Sequence, residues 1–197
     1  GNTFYIDENV LIPRDDTEIS IEVLNKIFKE NNIKSFVEIG SGSGIVSVTM
    51  ANIYRDTKFT AVDISDYAIK NTLKNIKRYN LENIEVLKSN LFENITGKYD
   101  IIYSNPPYIR TDEIEKLQVE VKDYEPMNAL DGGIDGLYFY REIIKSAKEF
   151  LSDDGYLVFE IGHDQADDLK NLLKDYNVEV IKDLSNRDRV VIGKKGE

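Results

Sequence analysis

The chain has 197 residues, 41% hydrophobic and 31% charged, with no long apolar run; this suits one well-buried core and excludes a membrane-spanning bundle or a disordered chain. A formal net charge of -11 disfavours a broad phosphate-binding surface, which needs clustered Lys and Arg, so no stable nucleic-acid binding is expected. The absence of cysteine excludes disulfides and thiolate metal sites, no metal-ligand cluster is visible, and with no targeting segment the expected location is the cytoplasm.

In chain order, Ile19, Val23, Leu24, Ile27 and Phe28 fall on one helical face, entered through a capping pair of Asp15 and Glu18. Strand-like runs follow at 36–39 and 59–62, the second leading to a helix that starts at Ser65 and is expected to bury Ala68, Ile69, Leu73 and Ile76. Further strands are read at 84–87, 101–103 and 156–161, with helices over about 137 to 151 and 164 to 175. Strand alternating with helix predicts an α/β fold with a mostly parallel sheet covered on both faces. The runs 178–181 and 189–192, joined by DLSNRD, predict an antiparallel hairpin at its edge. Between Thr111 and Gly136, Asp112, Glu113, Glu115, Glu120, Asp123, Glu125, Asp131 and Asp135 stand against Lys116 and Lys122; this is a solvated acidic loop or a partner-facing one. Residues 1–197 are read as a single domain with an extended segment at 1–14.

The motif VEIGSGSGIVSV puts Gly40, Gly42 and Gly44 between the first strand and the opening of a helix. Glycines there let backbone approach a ligand closely, or simply make a tight turn. A dinucleotide fingerprint needs its third glycine three residues after the second, and position 45 is Ile, so the spacing departs from the pyrophosphate-binding rule. Asp63 ends the next strand, where a carboxylate can accept from two ribose hydroxyls or anchor the following helix. Together they describe a nucleoside site without a required phosphate.

After the fourth strand comes YSNPPYIR, residues 103–110, which sets two prolines between an asparagine and a tyrosine. With VEIGSGSG and AVDIS, it resembles class I S-adenosylmethionine-dependent methyltransferases. More narrowly, VLIPRDDTE, SNPPYI, EPMNALDGGIDGL, EIGHDQ and RDRVVIG are similar to the HemK-type methyltransferases that modify a glutamine of peptide chain release factors, over essentially the whole chain. NPPY alone is shared with adenine and guanine amino-methyltransferases. That family usually carries a small helical substrate-recognition domain before this region, and the resemblance implies a catalytic domain without it.

The resemblance implies a Rossmann-like seven-stranded sheet, S-adenosylmethionine as cofactor and a release factor as protein substrate of a monomeric enzyme; a base of RNA or DNA, a ribosomal protein, and a noncatalytic nucleoside-binding module are the alternatives. It assigns cofactor contacts to Gly40, Ser41, Gly42, Ser43, Gly44, Asp63, Asn90, Leu91 and Asn105. Asn90 and Leu91 stand where the family usually has an acidic residue and often an aromatic one. The catalytic residues implied are Asn105, Pro106 and Tyr108, and the substrate contacts are Asn105, Pro106, Pro107, Tyr108 and Arg14. An amide nitrogen is a poor nucleophile because its lone pair is delocalised, so the site must orient it; the Asn105 side-chain oxygen and the Pro106 carbonyl would accept its two hydrogens. Arg14 also has Asp15, Asp16 and Glu18 nearby as ion-pair partners, and His163, the only histidine, reads as a solvated loop residue.

Overall fold

The computed structural model describes residues 3–7, 9–14, 16–117 and 129–196. Asp15 of the expected capping pair, Glu120, Lys122, Asp123 and Glu125 of the acidic stretch, and the first four residues of EPMNALDGG lie outside the described residues. The order is α1 (Asp16–Glu30), β1 (Ser35–Ile39), α2 (Ile45–Ile53), β2 (Lys58–Asp63), α3 (Asp66–Tyr79), β3 (Ile84–Lys88), β4 (Tyr99–Ser104), a 3-10 turn (Thr111–Lys116), α4 (Tyr138–Phe150), β5 (Leu151–Glu160), α5 (Ala166–Leu172), β6 (Tyr176–Lys182) and β7 (Asp188–Lys195).

The seven strands form one sheet in the order β3-β2-β1-β4-β5-β7-β6. The first five run parallel, and β7 is antiparallel to both β5 and β6. The expected hairpin is therefore present, with β6 as the edge strand. Strand order reverses between β1 and β4, and the crevice beyond their carboxyl ends is where open α/β sheets bind ligands.

The central strands are continuous apolar runs because both of their faces are covered. On one face Val37, Ile39, Ile102 and Phe159 pack against Ile143 of α4 and Leu169 of α5. On the other, Phe36, Ile101, Tyr103 and Val158 pack against Leu24 of α1 and Val48 of α2. An aromatic stack anchors this second layer: Phe28 lies 4.3 Å from Tyr54 and 5.9 Å from Phe59, centroid to centroid, and such pairs add roughly 0.5–1.5 kcal/mol each beyond their buried area.

Helix α3 corrects one expectation. Ser65 caps it, its hydroxyl accepting from Ala68 N at 3.5 Å, but Leu73 is 49% exposed. The inward face is instead Ala68, Asn71, Thr72 and Asn75, positions i, i+3, i+4 and i+7. Polar residues occupy it because they have backbone to bind. Asn75 donates to Tyr5 O at 3.0 Å and accepts from Tyr5 N at 2.8 Å, while Asn71 accepts from Asp7 N at 2.9 Å, strapping the N-terminal segment across the helix. The helix expected over 164 to 175 spans only Ala166–Leu172.

Candidate active site

Beyond Ile39 the chain turns through Gly40, Gly42 and Gly44, with φ of 76°, 52° and 75°. At Gly44 an added Cβ would lie 2.6 Å from Thr72 Oγ1, so both the dihedral and the close approach to α3 require glycine. The amides of Asn71 and Asn75 converge on Ser43 O at 2.9 and 3.1 Å, so the residues that hold the N-terminal strap also fix this turn. Asp63 closes the other side: Oδ2 accepts from Gly42 N and Oδ1 from Ser65 N, both at 2.9 Å. Asp63 thus anchors the start of α3 and the glycine turn together, and its carboxylate keeps acceptor capacity to spare. Burial raises its pKa, opposed by the backbone N–H groups of Ser65, Gly42 and Ile64.

A cleft of about 420 Å³ runs along the crevice, lined by Asp63, Asn90 and Leu91 at one end and by Asn105, Pro106 and Pro107 at the other, with Phe139 and Ile143 of α4 in its wall. Asn90 Nδ2 donates to Glu93 Oε1 at 3.0 Å, which leaves the amide oxygen as an acceptor. A smaller cavity of about 70 Å³ is lined by Arg14, Glu38, Ser41, Ser43, Tyr108 and Glu160. Gly40, Gly42 and Asn105 to Pro107 line both. The proline turn therefore borders both a larger chamber and a smaller one.

The larger chamber fits a nucleoside. A Cβ at Gly40 or Gly42 would meet no atom within 4 Å, so these glycines leave open space against the cleft, with a carboxylate at its end. The buried Ser41 Oγ has no hydrogen-bond partner among the described residues.

Sequence reasoning missed the floor of the smaller chamber. Glu38 on β1 pairs in register with Tyr103 on β4, and Glu160 ends β5. Phe36 and Glu38, Ile101 and Tyr103, and Val158 and Glu160 each alternate onto one face, so an apolar stripe ends in a polar layer under the starts of α1 and α2. Glu38 Oε2 accepts from Ser47 N at 3.0 Å and also from Ser47 Oγ, and Glu160 Oε2 accepts from Ser20 Oγ at 3.3 Å. Burial pushes Glu38 up to about 8, against the pull of its Ser47 hydrogen bonds. Burial likewise pushes Glu160 up to about 7, with Thr17, Ser20 and Arg14 opposing. The Tyr103 hydroxyl is buried beside Ser20 and Glu160. An acid inside each of the runs VEIG and FEIG was the available signal.

Arg14 lines the smaller chamber, where its charge acts on both Tyr108 and Glu160. Asp16, a possible partner by sequence, lies 3.4 Å from Arg189 Nε. Burial, then Glu160, raises the Tyr108 phenol above its ordinary value. His163 is exposed. Among the described residues no group of three or more His, Cys, Asp or Glu is placed to hold a metal ion.

A mixed seven-stranded sheet with a crevice behind a glycine turn is the architecture of the class I, Rossmann-like methyltransferases, the class whose methyl donor is S-adenosylmethionine. A methyltransferase from Pyrococcus furiosus superposes with a TM-score of 0.65 at 20% identity, covering 90% of this chain and 83% of that one. Residues 6–121 match the Methyltransferase small domain family. A release factor glutamine methyltransferase of Fusobacterium nucleatum is 46% identical over 99% of this chain and 56% of its own length, and one of Clostridium botulinum is 44% identical over 99% and 71%. The chain belongs to the release factor glutamine methyltransferase family, and spans from about half to seven tenths of the length of these relatives.

Proposed function

We propose that the chain methylates the side-chain amide nitrogen of a protein glutamine, the Gly-Gly-Gln motif of a peptide chain release factor. The observation that supports this is that Asn105 and Pro106 border both chambers. S-adenosylmethionine, when bound, supplies an electrophilic methyl on a sulfonium. Asp63 would hold the ribose hydroxyls, the glycine turn from Gly40 to Gly44 the remaining nucleoside, and Asn90 and Leu91 the adenine. Asn105 Oδ1 and the Pro106 carbonyl would accept the two hydrogens of the substrate amide, which aims the nitrogen lone pair at the methyl group. Tyr108 would wall the glutamine side chain, with Pro107 and Arg14 at the entrance. The amide becomes far more acidic as the N–C bond forms, so its proton can pass to water and no strong base is required.

Incubation with labelled S-adenosylmethionine and separate release factor, ribosomal protein, RNA and DNA fractions tests this reading. Label should enter the release factor, independently of RNA and without inhibition by duplex DNA at moderate salt, because the chain carries a net charge of -11. Label in nucleic acid but not in protein would reverse it. No helix among the described residues is long and apolar enough to cross a membrane.

Asp63→Ala should weaken S-adenosylmethionine binding by on the order of 1.5–3 kcal/mol, the range for hydrogen bonds to a charged group. Calorimetry reads this directly. A folded variant with unchanged affinity would place the ribose elsewhere.

A further inference from the structure

The proline turn has a tethering problem written into its sequence. Pro106 and Pro107 carry no N–H, so those two residues cannot be held by donating to neighbouring structure. Yet the carbonyl of Pro106 must be held to tenths of an ångström if it is to orient an amide. The backbone groups just past the prolines provide the anchorage instead. Ile109 N donates to Leu130 O at 3.1 Å, Gly132 N donates to Ile109 O at 2.8 Å, and the carbonyl of Tyr108 is taken by a side chain, Gln165.

Gln165 is 7% exposed and uses every part of its amide. Nε2 donates to Tyr108 O and to Gly136 O, both at 3.2 Å, and Oε1 accepts from Gly162 N at 2.9 Å. One planar group therefore ties together three segments distant in sequence: the proline turn, the loop 129–137, and the connection from β5 to α5. Its orientation is settled by chemistry, because the flipped amide would set its oxygen against two carbonyl oxygens and its NH2 against an N–H. The loop also sits hard against the turn. A Cβ at Gly132 would lie 2.7 Å from Tyr108 Cα and 2.8 Å from Pro107 O, which is why DGG stands in this loop.

The geometry points to Gln165 as a positioning residue for methyl transfer: by holding the Tyr108 carbonyl it fixes the backbone that presents the Pro106 carbonyl and Asn105 to the substrate amide. This rests on the reading of the turn as the acceptor site for a glutamine amide. Gln165 lines neither the larger chamber nor the smaller one. Its loss should therefore act on turnover and leave cofactor affinity unchanged.

The test compares Gln165→Glu and Gln165→Met with the unaltered chain on a Gly-Gly-Gln peptide. Glu keeps the length and the acceptor for Gly162 N but loses both donors; Met keeps the shape and loses all three bonds. Both should lower kcat by about 10- to 100-fold, the scale of a small misplacement of a reacting group, with little change in peptide KM or in S-adenosylmethionine Kd by calorimetry. Between about pH 8.5 and about pH 6 the rate of Gln165→Glu relative to the unaltered chain should recover, because a buried carboxyl that gains a proton can again donate to one carbonyl; Gln165→Met should show no such recovery. If either folded variant keeps full kcat, Gln165 does not position the turn. If kcat falls only in step with thermal stability and cofactor affinity, its role is merely structural and the inference is overturned. If the unaltered chain leaves the peptide unmethylated while methylating another substrate, the acceptor reading itself fails and takes this inference with it.

Discussion

Replacing Asn105 by Ala should lower methyl transfer to a Gly-Gly-Gln peptide by about 10²–10³-fold, the loss seen when one preorganised polar contact to a reacting group is removed. S-adenosylmethionine affinity should change far less. Asn105 lines both chambers, but the cofactor side keeps the glycine turn, with Asp63 bonded to Gly42 N. The acceptor side loses one of only two oxygens proposed to hold the amide hydrogens, so the nitrogen lone pair is no longer aimed. Asn105→Asp separates charge from alignment. Its carboxylate still accepts from an NH2 and attracts a sulfonium in the ground state, so cofactor should bind at least as well as before, while transfer stays slow. Single-turnover rates beside calorimetric affinities measure both quantities. Wild-type turnover in Asn105→Ala would remove the proline turn from the chemistry.

Much of this architecture could be read from residue types because local physics dictated them. β1 and β4 are covered on both faces, so FVEI and IIYS register as short apolar runs. The positive φ at Gly44 is a local demand of one turn, and Asp63 is the last residue of β2, two before the helix cap at Ser65. The features that escaped depend on neighbours far along the chain. Apolar spacing favours Leu73 for the inward face of α3, but Asn71 and Asn75 claim that face through bonds to Ser43, Tyr5 and Asp7. Nothing in EIGHDQ shows that Gln165 will meet the carbonyls of Tyr108 and Gly136. Glu38 and Glu160 share a chamber because β4 lies between their strands, a fact of topology and not of spacing.

Those two carboxyls make the stability of the ligand-free protein fall as pH rises, opposite to the usual behaviour of an ion-paired acid. Glu38 moves from an ordinary 4.5 up to about 8, chiefly by burial, and Glu160 up to about 7 for the same reason. Above the unfolded carboxylate value near 4.3, the unfolded chain has released these protons while the folded chain still holds them. Between roughly pH 4.5 and pH 8 the folded state binds more protons, so unfolding free energy drops with each step upward and levels off once both groups are ionised. At 1.36 kcal/mol per unit the Glu38 displacement sets an upper bound of about 5 kcal/mol. Glu38→Gln removes this penalty and keeps a side-chain oxygen to accept from Ser47 N. Its Tm should approach that of the unaltered chain at about pH 4 and below, and exceed it increasingly toward pH 8, by about 2–4 °C for each kcal/mol in a protein of this size. Scanning calorimetry of both proteins across that range follows the group together with Asp63 and Glu160, which are coupled to it, because titrations uncoupled from it cancel in the difference. A Tm difference that stays constant with pH would mean that Glu38 is already ionised in the fold, and that the polar floor beneath the proline turn carries a fixed charge.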